Sequence, residues 1–465
     1  MLPNHRVGFS LPSKVTLLSL VLVGQLYADN LDDMMEGFDE KPSTKPFSKT
    51  PQSHEEDIMA GFEDEMPTSK GMPKQRLLPQ GLTGSLKEQL AFSYRGETPH
   101  NNISSLKSSL FLDYEHKFDN GYKFKTNAKA YYDVIYEIRG REKYSHDEKK
   151  ELESEVELYD AYLEGSLSDK LDFKIGRQVV VWGRSDTIRI TDTLNPIDNR
   201  RPAMVDIEDL RLPVAMAKLD YFVGDWRITS IAVLEQRFSK NPPQGTPFNP
   251  SPRAMPSDES YSDVTPALSI GGEFSGWDIN LYASQTRSDV GYLADGKIQH
   301  DKVDMFGGAV NILYDAWLLK SEVAYLDGLK YTTTGDKSFK RTDVLMGLEY
   351  NGIADTRLSY DIAGRFVGDY DQRLQQGLLP TKEHSYQHAF RVSSDFSNAT
   401  VKANYLLSLF GSDASEGGFQ RAWITYDIAD GINSNIGVVD YLGGSNYFDH
   451  IADNDMLFAD VEYNF

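Results

Sequence analysis

Alternation of apolar and polar residues recurs along most of the chain after about residue 82. It is clearest over residues 122–138. One face of that segment would hold Tyr122, Phe124, Thr126, Ala128, Ala130, Tyr132, Val134, Tyr136 and Ile138, and the other Lys123, Lys125, Asn127, Lys129, Asp133 and Glu137. A period of two residues is typical of a β-strand. The dense charge on one face favours a strand that borders a wet interior rather than a dry core.

Short and long connections alternate between the predicted strands. Eight are short, such as Asp119-Asn120-Gly121 and Ala429-Asp430-Gly431, and contain hairpin-turn residues. Nine longer polar stretches lie near residues 96–104, 139–152, 184–212, 239–265, 290–301, 332–339, 371–382, 411–417 and 444–452. Together they join eighteen strands, within an accepted range of 16–18. The pattern predicts an all-β fold, a transmembrane antiparallel β-barrel over residues 77–465 with short periplasmic turns and long outer loops.

Aromatic residues mark the ends of several predicted strands. Trp226, Trp277 and Trp317 each open a strand just after a short turn, where an interfacial aromatic girdle belongs. The last strand places Leu457, Ala459, Val461, Tyr463 and Phe465 on one face. An alternating strand with a terminal aromatic residue resembles the closing strand of bacterial outer-membrane β-barrels. We therefore expect Tyr463 and Phe465 to be read by the barrel assembly machinery, and the barrel to contact lipid in the outer membrane of a Gram-negative bacterium.

Composition is compatible with this fold. The 465 residues carry a net charge of -22 and no Cys, and the mean hydropathy is -0.47. A soluble acidic globule would show the same average, but a barrel also looks polar because its strands alternate. The absence of Cys excludes disulfides, thiolate metal sites and attached c-type haem in this chain. The acidic charge argues against a nucleic-acid partner.

The first 28 residues have the pattern of a secretory signal peptide. His5, Arg6 and Lys14 give a basic start, and an apolar run from Val15 to Val23 follows. Ala28 then offers a small residue before cleavage. The run is too short for an inner-membrane anchor helix, which is the alternative.

Residues 29–76 are predicted to form a disordered acidic tail in the periplasm, with twelve acids and six bases. The segment 32–40 returns 24 residues later as 56–64. The repeated apolar positions are Met34, Met35 and Phe38 in the first copy and Ile58, Met59 and Phe62 in the second. Met and Phe are adaptable apolar anchors, and two copies on one tether would increase avidity. The tail is therefore predicted to dock to a periplasmic or inner-membrane transporter component; a duplication without a partner is the alternative.

The connection within residues 171–213 carries the most specific pattern. It contains Gly176-Arg177-Gln178, Trp182-Gly183, Asp186, Asp192, Asn195-Pro196, Asp198 and Arg200-Arg201. These residues resemble the core motif of a proteobacterial outer-membrane family called domain of unknown function 1302. The resemblance is strong over about forty residues, and the barrel pattern fits the family over residues 77–465. It implies an association with RND-type inner-membrane transporters and a periplasmic carrier, and hence movement of a hydrophobic or lipid-like compound through the envelope.

The charges of this connection predict a folded loop inside the lumen. The predicted constriction residues are Arg177, Trp182, Arg184, Asp186, Arg189, Asp192, Asn195, Asp198, Arg200 and Arg201. Long ordered loops are usually functional, and rings of charge set pore selectivity. The alternative is that the ion pairs only pin the loop to the barrel wall. For Trp182, packing or a girdle position is favoured over a stacking platform. The proline-rich stretch 239–265 is read as a stiff outer lid or as surface decoration.

Catalytic and metal-binding patterns do not stand out. His384 and His388 are four residues apart, but on a strand they would share a face only loosely. The chain has no phosphate-binding glycine loop, no Gly-x-Ser-x-Gly and no His-Glu-x-x-His. We therefore predict no cofactor, no metal site, no catalytic residues and no enzymatic activity.

Three functions remain open from the sequence. The first is a conduit for a hydrophobic or amphipathic organic solute that works with a trans-envelope transport system of the RND type docked through the tail. The second is a passive porin for small hydrophilic solutes, which the strand number and polar lumen support. The third is a structural sheath for a multihaem electron conduit or a surface lipoprotein.

Overall fold

The computed structural model describes residues 79–204, 210–249, 256–376 and 380–465. Within these ranges lie the strands β1 (Leu82–Ser93), β2 (Asn102–Lys117), β3 (Lys123–Asp133), β4 (Ser154–Ser168), β5 (Leu171–Gln178), β6 (Val214–Val223), β7 (Trp226–Val233), β8 (Thr265–Phe274), β9 (Trp277–Arg287), β10 (Tyr292–Ala294), β11 (Lys297–Gln299), β12 (Lys302–Tyr314), β13 (Trp317–Leu329), β14 (Phe339–Ile353), β15 (Thr356–Gly368), β16 (His384–Phe396), β17 (Val401–Phe410), β18 (Gly418–Ala429), β19 (Ile432–Leu442) and β20 (Met456–Asn464). Short helices are α1 (Ile135–Arg139), α2 (His146–Leu152) and α3 (Asn446–Ile451). Single turns of 3-10 helix cover Arg141–Lys143, Thr332–Thr334 and Gln372–Gln376.

Eighteen of these strands form one antiparallel sheet, and β10 and β11 form a separate hairpin in a connecting loop. Each sheet strand pairs with its neighbours along the chain, and β1 also pairs with β20, so the sheet closes into a barrel. At the seam the Gly84 amide donates to the Phe465 carbonyl at 3.0 Å, and the Phe465 amide donates to Gly84 at 2.9 Å. Closure leaves no unpaired sheet edge. The predicted all-β barrel is confirmed, at the upper end of the predicted strand range.

The alternation of loop lengths is confirmed as well. The eight predicted short turns join strands at one end of the barrel, the short-turn end, and the nine longer connections lie at the other, the long-loop end. Trp226, Trp277 and Trp317 begin β7, β9 and β13 just after short turns, with their side chains exposed. Among the described helices none is both long and apolar enough to span a membrane.

The two faces of each strand have opposite character. In β20, Leu457, Val461 and Tyr463 are 47–48% exposed, whereas Phe458 and Asp460 are 4% and 5% exposed. Exposed apolar side chains continue around the barrel, as in Leu86, Leu90, Val156, Leu158, Leu219, Leu268, Leu281, Phe306, Leu319, Val323, Leu348, Phe390, Ile424 and Ile436. An apolar outside around a polar inside is the arrangement of a barrel that spans lipid.

One predicted strand is too long. The alternation was expected to continue through Val134, Tyr136 and Ile138, but β3 ends at Asp133 and α1 follows. The Asp133 carboxylate accepts hydrogen bonds from the backbone amides of Leu106 (2.8 Å) and Ile135 (3.3 Å). A carboxylate that takes over backbone donors in this way ends the strand ladder and turns the chain into the loop.

The predicted signal peptide, the acidic tail and its docking residues Met34, Met35, Phe38, Ile58, Met59 and Phe62 lie outside the described residues. These assignments stay predictions.

Candidate functional site

The connection between β5 and β6 folds into the barrel. We call residues 179–213 the lumen loop; 179–204 and 210–213 are described. Its side chains and backbone bond to β4, β9, β13, β15 and β19. These strands are distributed around the circumference, so a single loop can reach all of them only by crossing the interior. The predicted inward-folded loop is therefore present.

Two buried side chains give the loop its own shape. The Asn195 side chain accepts from the Val180 amide at 2.8 Å and donates to the carbonyls of Gln178 and Leu212. It thereby ties the two ends of the loop together. The Asp192 carboxylate accepts from Arg211 at 2.8 Å and from the Trp182 amide at 3.3 Å. Arg189 lies 3.5 Å from the same carboxylate.

Glu322 on β13 holds the loop to the wall. Its carboxylate accepts from the backbone amides of Arg184 (2.5 Å) and Ser185 (2.8 Å), and from the hydroxyl (2.9 Å) and amide (3.4 Å) of Thr191. Gly183, with φ of +93°, brings the backbone to this carboxylate, and a Cβ there would lie 2.9 Å from its Oε2 atom. We call this arrangement the Glu322 latch.

Further polar contacts reinforce the latch. Asp361 on β15 accepts from the hydroxyls of Ser185, at 2.6 Å, and Thr187. Asp186 pairs with Lys320 at 2.8 Å, and Arg184 pairs with Asp278. The predicted charges of this part of the loop are therefore ion-paired with the wall, as in the pinning alternative.

Apolar contacts fill the space around these bonds. Trp182 is buried and stacks on Tyr282 of β9 with ring centroids 4.8 Å apart, so it packs in the lumen and is not part of a girdle. It belongs to a cluster that joins Ile188, Ile190 and Leu194 to inward side chains of β6–β9 and β12–β16. A second cluster joins Ile197, Ala203 and Leu210 to β17–β20. The loop thus occupies most of the lumen along the wall from β6 to β20.

The end of the loop that carries Asp198, Arg200 and Arg201 faces the remaining wall. Arg200 binds Asp198 through two atoms and reaches Glu155 on β4 at 2.6 Å. Burial alone would raise the pKa of Asp198, but pairing with Arg200 outweighs it and lowers the pKa below its ordinary value. Arg201 donates to Asp133 at 3.0 Å and to the Ser105 hydroxyl at 2.9 Å.

Beside these residues the lumen stays open along β1–β4. A cavity of about 370 Å³ is lined mainly by alternate residues of the four strands. These are Ser85, Lys87, Gln89 and Ala91 of β1, Lys107, Ser109 and Phe111 of β2, Asn127, Lys129 and Tyr131 of β3, and Glu155, Glu157, Tyr159 and Asp160 of β4. Arg200, Arg201 and Met204 close its long-loop end and also line a smaller, more apolar cavity of about 70 Å³ beyond it.

A third cavity, of about 550 Å³, lies between the short turns of β2–β6, with Lys123, Glu164 and Lys174 in its lining. The three cavities follow one another along the same wall, from the long-loop end to the short-turn end. We call this series the lateral passage. Its lining mixes both signs of charge with tyrosine and phenylalanine.

Arg177 corrects the predicted constriction set. Its neighbour Gln178 is fully buried and pairs in register with Val214, a member of the lumen cluster. Because strand side chains alternate, Arg177 points away from the lumen. It pairs with Glu235 at 2.5 Å at the long-loop end of the wall. The other nine predicted residues lie in the lumen loop, and of these only Asp198, Arg200 and Arg201 line the cavity of about 370 Å³.

Sequence reasoning missed the wall residues that bind the loop, which are Glu322, Asp361 and Lys320. Lys129, which the alternation had placed on the charged face of its strand, lines the passage together with Lys87 and Lys107. Each of these residues is at an inward position of an alternating strand. They could therefore have been identified in the sequence as charged residues on the polar face of a predicted strand. Among the described residues no three His, Asp or Glu side chains converge to hold a metal ion. His388 bonds instead to the Tyr360 hydroxyl at 2.7 Å.

A closed eighteen-stranded barrel with an inward-folded loop and a series of cavities along one wall defines a porin-like β-barrel. The family model described as "Protein of unknown function (DUF1302)" matches residues 88–465, and the chain belongs to this family. A search of curated proteins finds no significant relative.

Solved structures share the fold at low sequence identity. The structure of Pseudomonas aeruginosa OpdK with vanillate superposes with a TM-score of 0.51 at 9% identity, covering 83% of this chain and 98% of OpdK. Acinetobacter baumannii OccAB3 gives a TM-score of 0.50 at 12% identity, covering 83% and 98% of the two chains. At these identities the likeness concerns the barrel fold.

Proposed function

We propose that this protein is an outer-membrane channel of a Gram-negative bacterium that conducts small amphipathic organic solutes through the lateral passage. In this orientation the long loops face the exterior and the short turns face the periplasm. The observation that carries the proposal is the series of cavities along β1–β4 that continues to the short turns of β2–β6, bordered on the other side by a loop fixed to the wall. A filled lumen with one narrow, chemically mixed path favours selection among solutes over free diffusion.

The lining supports an amphipathic solute over a purely hydrophobic one. The cavity of about 370 Å³ presents Lys87, Lys107, Lys129, Glu155 and Glu157. A solute that passes these charged side chains displaces water from them. A purely apolar solute offers no polar group to replace that water, so its passage would be costly. The smaller cavity at the long-loop end adds apolar side chains from Leu152, Met204, Phe248 and Met456. A solute with an apolar body and a polar group could contact both.

Reconstitution tests the channel directly. The full-length protein, placed in liposomes, should admit a small aromatic carboxylate faster than a neutral sugar of similar size. Conductance in planar bilayers should be small, because the lumen loop occupies most of the cross-section. Equal uptake rates at equal size would instead favour the passive porin for small hydrophilic solutes, which the charged lining of the passage supports. No uptake and no conductance would contradict both.

A role with an RND-type transporter remains part of the proposal and is supported by the two tail repeats and the family resemblance. An affinity pull-down from solubilised membranes would compare the full chain with a variant in which Met34, Met35, Phe38, Ile58, Met59 and Phe62 are alanine. The variant should lose a transporter component that the full chain retains. Recovery of the same component by both chains would exclude docking through these residues.

A further inference from the structure

A fourth cavity lies away from the lateral passage. It measures about 110 Å³ and lies between the lumen loop and the wall at the long-loop end. None of its lining residues lines the passage cavities. One side is apolar and consists of Val214, Val233, Val303, Met305, Leu326 and Leu329. A cavity with one apolar side can hold the hydrocarbon part of a small ligand.

Three buried guanidinium groups line the same cavity. They belong to Arg189 of the lumen loop, Arg341 of β14 and Arg365 of β15. Arg341 is 9% exposed and Arg365 is 5% exposed, and the side chain of Arg189 is 8% exposed. Asp343 faces them and is bound by Arg341 at 2.8 and 2.9 Å, while Arg365 lies 3.9 Å from it. Arg365 also donates to the Arg189 carbonyl at 3.3 Å. The groups thus converge from the loop and from two adjacent strands.

The remaining charged residues of the lining have contacts that point elsewhere. Arg237 pairs with Glu157, and Arg287 pairs with Asp263 at 2.9 Å.

The remaining acids of the lining are Asp192, which binds Arg211, and Glu235 and Asp289, which also have local contacts. Glu235 pairs with Arg177, and Asp289 accepts from the Ser239 amide at 2.7 Å. In total the lining contains five arginines and four acids, including Asp192, so the cavity carries an excess positive charge. Excess charge in a water-poor site is stabilised by a bound counter-ion.

We propose that this cavity binds a small organic monocarboxylate. Its carboxylate would lie among Arg189, Arg341 and Arg365, because a guanidinium matches a carboxylate with paired, charge-assisted hydrogen bonds. Its hydrocarbon chain would lie against Val303, Met305 and Leu326. The volume limits the chain length, since a cavity of about 150 Å³ accommodates benzene. Butyrate is therefore a suitable probe. The site goes beyond the proposed channel, because binding here does not require conduction through the lateral passage.

Calorimetric titration of the full-length protein in detergent tests the site. Butyrate should bind, and butyramide, which has the same shape without the charge, should not. Arg365→Gln should weaken butyrate binding by roughly tenfold or more, since a hydrogen bond to a charged group is lost. Arg391→Gln is the matched control, because Arg391 is a buried arginine of the adjacent strand β16 that is not part of the lining. It should leave the affinity unchanged.

A second variant keeps the test decisive if Arg365→Gln fails to fold. Leu326→Ala enlarges the apolar side and should shift the preference from butyrate toward hexanoate. Four outcomes would each overturn the inference. Butyrate could fail to bind the folded protein, or butyrate and butyramide could bind equally. The two arginine variants could lose the same affinity, or Leu326→Ala could keep the chain-length preference of the native protein. If the protein conducts solutes but does not bind butyrate, the proposed carboxylate site is contradicted and the proposed channel function is not.

Discussion

The two sides of the lumen use charged residues in opposite ways. On the wall covered by the loop, Glu322 and Asp361 are each 2% exposed and accept several hydrogen bonds from the loop. On the open wall, whose cavity Glu462 of β20 also lines, Lys87 and Glu462 pair across neighbouring strands at 3.1 Å, and each side chain remains 21% exposed. Buried carboxylates surrounded by donors fix a loop in place, because a buried donor that loses its acceptor is costly. Partly exposed pairs leave charge accessible to water and to a solute.

This contrast distinguishes the charged residues that hold the loop from the charged residues that stay accessible in the passage. The same inward, every-second-residue positions supply both sets of side chains. What distinguishes them is whether the loop covers them. A loop that covered β1–β4 as it covers β12–β16 would close the barrel, and a loop that covered neither would leave a wide pore.

Removing the loop should have the largest effect. Because Gln178 and Val214 are partners in the sheet register, a short glycine-serine linker can replace residues 179–213. The single-channel conductance of this variant should rise several-fold, since the lumen of an eighteen-stranded barrel would then be mostly water. Heat-modified gel migration would verify that the barrel has formed. An unchanged conductance would contradict the placement of the loop in the conducting cross-section.

Breaking the Glu322 latch should have the next largest effect. Glu322→Ala removes the acceptor of four donors, and a hydrogen bond to a charged group contributes roughly 1.5–3 kcal/mol. The free energy of unfolding in detergent should fall by about this amount or more. Glu462→Ala is the matched change on the open wall and should cost less than about 1 kcal/mol, since an exposed pair contributes little. Similar losses in the two variants would remove the distinction between the walls.

Adding a methyl group at Gly183 tests the same latch from the loop side. Gly183→Ala places an L-residue at a φ of +93° and puts its Cβ 2.9 Å from Glu322. Gly224→Ala adds only backbone strain. Gly224 has a φ of +58°, and no atom lies within 4 Å of the position that its Cβ would take. The left-handed conformation costs roughly 1–2 kcal/mol in either case. Gly183→Ala should therefore lower the melting temperature more than Gly224→Ala, and equal shifts would speak against the close approach.

Charge in the passage should have a smaller, qualitative effect. Lys129→Glu replaces a positive by a negative charge in the lining, so the reversal potential in a salt gradient should shift toward cation selectivity. Arg177→Gln changes the charge of a residue that points away from the lumen and should leave the reversal potential as in the native protein. A shift in the second variant without one in the first would contradict the assignment of the two faces.

The barrel could be predicted from sequence because its signals are local. Period-two alternation, hairpin turns and loop lengths gave the eighteen strands, and the three tryptophans marked the short-turn end. The lumen loop could be located because Arg, Asp and Pro are dense in one long connection. Its partners could not be identified, because Glu322 and Asp361 lie more than 130 residues away along the chain. Arg177 was misassigned because its face depends on a register that only the pairing with β6 fixes.

Thiol labelling tests the central claim, that the conducting path runs along β1–β4, most directly. The chain has no cysteine, so single substitutions give clean labelling sites. Ser109→Cys lies in the passage lining on β2, and Ser408→Cys is the control at a buried serine of β17 that lines none of the passage cavities. A charged methanethiosulfonate reagent should reduce the current through Ser109→Cys and leave that through Ser408→Cys unchanged. Block of Ser408→Cys, or no effect on Ser109→Cys in a conducting barrel, would contradict the account.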